Sequence, residues 1–579
     1  MNDCLYKGPD RFMNNLLSVC LGFRNGRVAA AADLSKFHNQ VRLVPADVHM
    51  QRFLWRGMNP EETPKTLAVV VNNFGIKPAN CIATSALHKS ADIFAKKYPE
   101  ASQAIKDQTY IDDELVAAAN NAKLHQKTGQ MDEITSHAGM SNKGWTFSGD
   151  PSSDIRIGVD VGDNDDEKVL GLLWDPKMDM LKFQTKLKVK VNSGFGLVDT
   201  FISSEEELNN NMQEIVLTRK VVLSNVMKVF DPIGLLSPLI LQAKLLLRET
   251  WNIEGLGWDD PLPEKVKNEW LGFLRSLLEL NDIVIPRSLW PEGEVEELPI
   301  LIVFSDGSIS AYGVAAYIRW KMKDGSFWSR LIMAKSKIAP KRIISVPRME
   351  LSGAVVGNRV KNFLLKETNL QFAKVINLVD SSTVLGYLHK ESSNFGQFEG
   401  IKIAEVQSTN EFQDGKLVAW GWIPGSDNPA DWCTKPRTPR EIKDNNTFLT
   451  GPLFLREKEE DWPVKFTFRT DKLEGELGDC KEVVCGYVSS TFTDIIGILA
   501  VKCSSWVRVT RSVAWLMRLV PKERRPKGPL TCVETYAATK FIVIEVQKHI
   551  QSDLLEGELG KGRFRKLAPV KGNYGIWRV

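Results

Sequence analysis

The stretch that most restricts the fold lies between residues 299 and 432. Residues 299–304 (PILIVF) form an apolar run ended by 305-SDGS-308, the pattern of a buried strand entering a turn. Two more strands are expected at 311–320 and 331–338. A helix follows over 348–367, with Met349, Val356, Val360 and Phe363 on one face. A strand at 375–379 runs into 380-DSSTVLGYL-388, where Asp380 or a following serine caps a helix. A last strand, 417–423, leads to 427-DNPADW-432. Strands and helices in this order describe one compact mixed domain over about 297–445.

A chain of 579 residues is too long for one core, so two to four domains are expected. Its net charge of +4 is small, and any nucleic-acid surface has to be a local patch. Eight scattered cysteines argue for a reduced, intracellular chain without a disulfide framework. The seven histidines never stand with cysteines at zinc-ligand spacing. No signal peptide is expected from MNDCLYKGPD. The most apolar segment, 233–247, is a buried helix too short to span a bilayer. Residues 151–168 read as a loop or hairpin, and 204–290 as helical with breaks at Pro232 and Pro261. Helices are expected at 504–520 and near 530–552, separated by the basic break 521–529.

Two sets of acids stand where apolar elements end. In 108-QTYIDDELV-116, Asp112 and Asp113 are adjacent like charges, costly to bury without a partner. Upstream, Asp33 interrupts the apolar run of 29-AAADLSKFHNQVRL-42, and 69–87 reads as a strand, an FG turn and a helix. Acid-bearing segments of this kind can converge on a pair of Mg²⁺ ions, as phosphoryl transfer requires. The second set is Asp306, Glu350, Asp380 and Asp431. Ordinary surface charge is the competing reading of each one alone.

These motifs resemble those of the pol polyprotein of BEL/Pao-type LTR retrotransposons. The segment 110-YIDD-113 is similar to the catalytic hairpin of reverse transcriptases. 33-DLSKFHNQV-41 resembles their first acidic motif, and 74-FG…P-78 the motif that contacts template and nucleotide. The resemblance extends to 2-NDCLYKGPD-10, 53-FLW-55, 143-KGW-145, 170-LGLLWD-175 and 230-FDPIGLLSP-238. It implies a multidomain α+β and α/β chain: a partial reverse-transcriptase palm (1–150), a helical thumb or connection (151–296), a ribonuclease H-like mixed sheet with helices (297–445), and a linker with a helical integrase lead-in (446–579).

By the resemblance, Asp33, Asp112 and Asp113 are the polymerase acids, and Asp306, Glu350, Asp380 and Asp431 the ribonuclease H quartet. Each set holds two Mg²⁺ or Mn²⁺ ions. Tyr110, Phe37, His38, Phe74, Gly75 and Lys143 contact substrate. Lys143 serves as proton donor to pyrophosphate, against the competing reading of a solvated lysine. Relatives carry an aromatic five residues after the first acid; here that place is His38 and the aromatic is Phe37. Gly421 stands where many ribonucleases H carry a histidine, so that assisting role has no candidate. The implied partners are RNA template, DNA primer, RNA–DNA hybrid, dNTP and the protease and integrase of the polyprotein, with no membrane. The implied location is the cytoplasmic virus-like particle, and the nucleus during integration. The fingers are expected before Met1, and the zinc-binding cluster of the integrase beyond Val579. The alternative is a truncated or decayed fragment of an element, inactive in catalysis, that retains nucleic-acid binding. The basic, aromatic end 561–578 could hold nucleic acid, with a helix packing edge as the other reading.

Overall fold

The structure is a computed structural model. It describes residues 2–466 except 10–12, 153–154, 158–171, 184–186, 193–196, 229–230, 342–343, 411, 414–415 and 418. Beyond these it describes 499, 503, 505–518, 530–548, 554, 570–571 and 577–578. Most of 151–168, all of 521–529 and most of 561–578 therefore lie outside the described residues. The chain divides into two compact units, Met1–Cys480 and Lys481–Val579.

The first unit opens with helix α1 (Leu16–Arg24) and strand β1 (Val28–Ser35). Helices α2 (Ala79–Phe94) and α3 (Pro99–Asp107) lead to the hairpin β2 (Thr109–Tyr110) and β3 (Asp113–Ala118). Then come α4 (Asn121–His137), β4 (Ser141–Asn142) and β5 (Thr146–Phe147). The sheet order is β2-β3-β1-β4, with β5 also on β1. Successive side chains of β1 point to opposite faces, and each face joins a different buried cluster. Ala30, Leu34 and Val116 pack with Leu87, Ile105, Leu124 and Met131 on the helical side. Ala29, Ala31, Leu115 and Ala117 join Val19 and Phe23 of α1 on the other. The strand expected before the Phe74–Gly75 turn, at the start of 69–87, is only a single bridge between Val71 and Arg42.

Residues 151–290, expected as mainly helical after 204, are mixed. Strands Ile155–Ile157, Leu172–Asp175, Met180–Phe183 and Ile285–Pro286 form one sheet. Leu187–Asn192, Leu197–Ile202 and Ile215–Val216 form another. Helices α5 (Arg219–Lys228), α6 (Ser237–Thr250) and α7 (Glu264–Leu278) follow.

The third region holds β6 (Ile300–Gly307), β7 (Ala311–Lys321), β8 (Phe327–Ile338), α8 (Val346–Glu367), β9 (Lys374–Val379), α9 (Ser382–His389), α10 (Gln397–Gln407) and β10 (Trp420–Trp422). The sheet order is β8-β7-β6-β9-β10. The first three strands are antiparallel and the last three parallel. Strand β6, buried on both faces, has the continuous apolar sequence expected of a central strand. The strand expected over 417–423 is interrupted: Ala419 has φ +62°, and only 420–422 pair with β9. Such a backbone state ends ladder pairing for a residue with a Cβ.

The three regions of this unit share one core. A single cluster of buried side chains runs from Val19 through Trp174, Trp270 and Phe304 to Trp462. Arg287, fully buried, ties them together. Its guanidinium donates to both carboxylate oxygens of Asp179 at 2.6 and 2.8 Å, and to the carbonyls of Phe23 and Gly26. Buried Arg24 donates to the carbonyls of Arg287 and Ile332 at 3.1 Å. Burial pushes the Arg24 guanidinium down to about 9, and Arg330 and Arg287 push it the same way. Residues outside 297–445 complete the five-stranded sheet. Ala334 N–H donates to Ile233 O, Trp320 Nε1 to Leu289 O, and Tyr317 Oη to Phe448 O.

Candidate catalytic carboxylates

The quartet is built at one end of the five-stranded sheet. Strands β6 and β9 run parallel with Ser305 opposite Val379, so Asp306 and Asp380, the next residue of each, come to the same edge. Helix α8 lies against the end of β6 because two glycines allow backbone contact. A Cβ on Gly353 would lie 2.3 Å from Asp306 O, and one on Gly307 would lie 2.3 Å from Glu350 N. No other residue fits at that spacing, and the contact sets Glu350 beside Asp306. Asp431 sits in the 3₁₀ turn Pro429–Cys433. Asn428 fixes that turn by accepting from Ala430 N–H and donating to Ser305 O, both at 3.1 Å.

Electrostatics join the four acids through Asp306. Burial raises the Asp306 carboxyl above its usual range, and Asp431 raises it further. The Thr434 hydroxyl donates to Asp306 and opposes the shift. Burial and then Asp306 raise Glu350, against a 2.5 Å hydrogen bond from the Ser381 hydroxyl. Asp380 is pushed up to about 6 by burial, then by Asp306, with Glu350 adding to it. Lys435 Nζ stands 2.5 Å from the Asp431 carboxylate. Among the described residues no three His, Cys, Asp or Glu stand close enough together to hold an ion as placed. The donor set itself, all carboxylate oxygen, has the chemistry of Mg²⁺ or Mn²⁺ sites.

The second set lies on the sheet of β1 and β3. Their antiparallel register puts Asp33 opposite Asp113. Ile111, with φ +58°, turns the β2–β3 hairpin, and Leu34 N–H donates to Asp112 O at 2.8 Å. Burial raises the Asp112 carboxyl, and Asp33 adds repulsion, which His38 and Lys143 offset. Lys143 Nζ stands 2.8 Å from Asp33 Oδ1, and that bond holds its ammonium above the usual lysine range. Lys143 N–H also donates to Asp33 O at 3.0 Å. A cation of the chain itself thus neutralises part of this cluster.

The other expected contacts divide by burial. Phe37 is 2% exposed in the core beneath α2–α4. A ring enclosed there has no free face for a sugar, which corrects the expectation of Phe37 as a substrate contact. His38, the neighbouring ring, is half-buried, with Nε2 2.7 Å from Asn80 Oδ1. Phe74 is 68% exposed, beside Gly75 in a turn with φ +84°. Tyr110 is half-buried; burial raises its phenol, and Cys20 and Asp113 add to the shift.

Sequence reasoning missed several groups. Thr434, Ser381 and Asn428 support the quartet by hydrogen bonds no periodicity reveals. It also missed a set of cations beside α8. Lys337 on β8 is lowered by burial, then by Lys335 and Arg359. Lys402 on α10 is lowered by burial, then by Arg359. Arg359 lies nine residues past Glu350 on α8, about 14 Å along the helix axis at 1.5 Å per residue.

Residues 218–381 match the family model described as the Pao retrotransposon-like RNaseH-like domain. The match takes in Asp306, Glu350 and Asp380 and ends before Asp431. No curated protein matches the chain. Similar solved structures include the foamy viral protease-reverse transcriptase in complex with an RNA/DNA hybrid, at 12% identity and a TM-score of 0.39, over 70% of this chain and 47% of that one. Another is the foamy viral protease-reverse transcriptase dRH in complex with ds DNA, also at 12% and 0.39, over 71% of this chain and 59% of that one. The chain spans about half the length of these structures, and at such distance they carry no argument about its chemistry. The match agrees with the resemblance drawn from the motifs: over residues 218–381 this chain is similar to the Pao retrotransposon-like RNaseH-like domain.

Proposed function

We propose that the chain is the reverse transcriptase–ribonuclease H segment of a Pao-type retrotransposon polyprotein. The observation that carries this reading is the convergence at the end of one sheet: the parallel register of β6 and β9 brings Asp306 and Asp380 together, the Gly307–Gly353 contact sets Glu350 beside Asp306, and Asn428 ties the turn of Asp431 to Ser305. Those four residues would hold divalent cations. Two Mg²⁺ or Mn²⁺ ions, when bound, supply Lewis-acid stabilisation of attacking and leaving oxygens. The chain's own part is positional. Thr434 and Ser381 fix the carboxylate rotamers of Asp306 and Glu350 by donating to them. Burial lowers Lys337 and Lys402, and Arg359, itself paired with Glu405, lowers both further; a polyanion laid across the two lysines relieves that cost. RNA is told from DNA by contacts to 2′-hydroxyls along the cut strand.

Asp33, Asp112 and Asp113 form the polymerase site in this reading, in a palm over 1–150. Residues 151–296 serve as thumb or connection and 297–445 as the ribonuclease H-like region. Residues 446–579 serve as the linker and the lead-in to an integrase. Lys143, 2.8 Å from Asp33, stands where a bound cation would take its place. Template RNA, DNA primer, dNTP and RNA–DNA hybrid are the substrates. The protease and integrase of the polyprotein are the partners, in the particle of the element.

The test is hybrid cleavage by the full chain with Mg²⁺ or Mn²⁺. Wild type cuts the RNA strand and leaves 3′-hydroxyl ends, whereas Glu350→Gln does not cut. No cutting by folded wild type with either metal would refute the proposal.

A further inference from the structure

The second unit, Lys481–Val579, carries a surface that the carboxylate chemistry does not use. Helices α11 (Trp506–Met517) and α12 (Cys532–Lys548) pack through Val509, Val513 and Ala514 against Ala538 and Ile542. At 3.6 residues per turn, Val507, Arg508, Arg511 and Trp515 fall within an arc of about 100°, turned away from Val509 and Val513. All four are exposed, Val507 by 61% and Trp515 by 49%. The sequence of α11 contains no acid. On α12, Tyr536 is 61% exposed with Lys540 Nζ 4.6 Å from its ring centre. Arg518 covers one face of Trp515 at 4.5 Å and pairs with Glu534 at 2.6 Å.

Charge decides what such a face takes. Arg508 and Arg511 are the exposed charges of α11, which carries no acid, and Arg518 beyond its end is paired with Glu534. A second copy of the same face would meet like charge, which disfavours self-association. An exposed indole beside two arginines suits a polyanion that also offers flat apolar faces. Bases offer those faces when unstacked, not inside a duplex.

We propose that the face of α11 formed by Arg508, Arg511 and Trp515 binds single-stranded nucleic acid. The arginines contact phosphates and the indole stacks on a base. This site lies in the second unit and does not depend on either carboxylate set.

The experiment measures binding of fluorescein-labelled oligo(dT), twenty nucleotides long, to the full chain by anisotropy at several salt concentrations. Unlabelled duplex is included to fill sites that take phosphates alone. Trp515→Ala is expected to weaken binding roughly tenfold, within the range for loss of one stacked base. Trp515→Phe should restore most of it. Arg508→Gln with Arg511→Gln should lower the slope of log K against log salt by about 1.4, two phosphate contacts on a single strand. Asp306→Asn, which removes a hybrid-cutting acid, should leave oligo(dT) binding unchanged. Unchanged affinity and slope in the α11 variants would overturn the proposal. So would a Trp515→Ala loss that Trp515→Phe fails to restore, or variants that alter self-association and not oligonucleotide binding.

Discussion

Asp380→Asn should make the folded protein more stable and the enzyme inactive. The Asp380 carboxyl is raised from 3.8 to about 6 in the folded chain, first by burial and then by Asp306. A carboxyl raised on folding binds protons more readily folded than unfolded. Its charge therefore destabilises the fold. The cost is absent below the unfolded pKa, grows as pH rises from about 4 to about 6, and is complete above that. About two pH units at 1.36 kcal/mol each come to about 3 kcal/mol. An amide lacks the charge, but burying its NH₂ short of a partner takes back about 1 kcal/mol. The expected gain is about 2 kcal/mol at pH 7.5 in metal-free buffer, and at pH 4 it is lost, because the amide penalty then outweighs what remains of the charge effect. Urea unfolding of wild type and variant at the two pH values measures it, and hybrid cleavage reads the activity in parallel. The reasoning is refuted if the variant is no more stable at pH 7.5, or if the difference is the same at pH 4.

Two further outcomes follow from other sites. Asp112→Asn should abolish primer extension on an RNA template, while template affinity changes little, because phosphate contacts dominate that affinity; gel-based extension and filter binding check both. Arg287→Met should destabilise the first unit by about 3–5 kcal/mol, because Asp179 and the carbonyls of Phe23 and Gly26 lose their buried donor; the shift of the urea midpoint measures it.

The legible parts of the fold were those whose signal is local. Strands β6 and β9 show themselves as continuous apolar runs because a central strand is buried on both faces. The face of α8 carrying Met349, Val356 and Val360 follows the helical period. Helix α10 went unread because QFEGIKIAEVQ buries only Ile403 and Val406, too few for a periodic stripe. The joining of Arg24 to Ile332, and of Arg287 to Phe23 and Asp179, was not legible. Partners hundreds of residues apart leave no local pattern. The choice between Phe37 and His38 was equally closed, since neighbouring side chains point apart and only the packed core shows which ring it encloses. The acid motifs were legible as motifs. What brings Glu350 to Asp306 is the pair Gly307 and Gly353, whose meaning appears only when α8 lies on β6.

The central claim is that Asp306, Glu350, Asp380 and Asp431 form a divalent-cation site. The most direct measurement is Mn²⁺ binding by electron paramagnetic resonance on the full chain, wild type against Asp306→Asn with Asp380→Asn. The account predicts that wild type immobilises Mn²⁺ that Mg²⁺ displaces, and that the double variant, folded by circular dichroism, loses this fraction. Equal binding in the two folded proteins would contradict it.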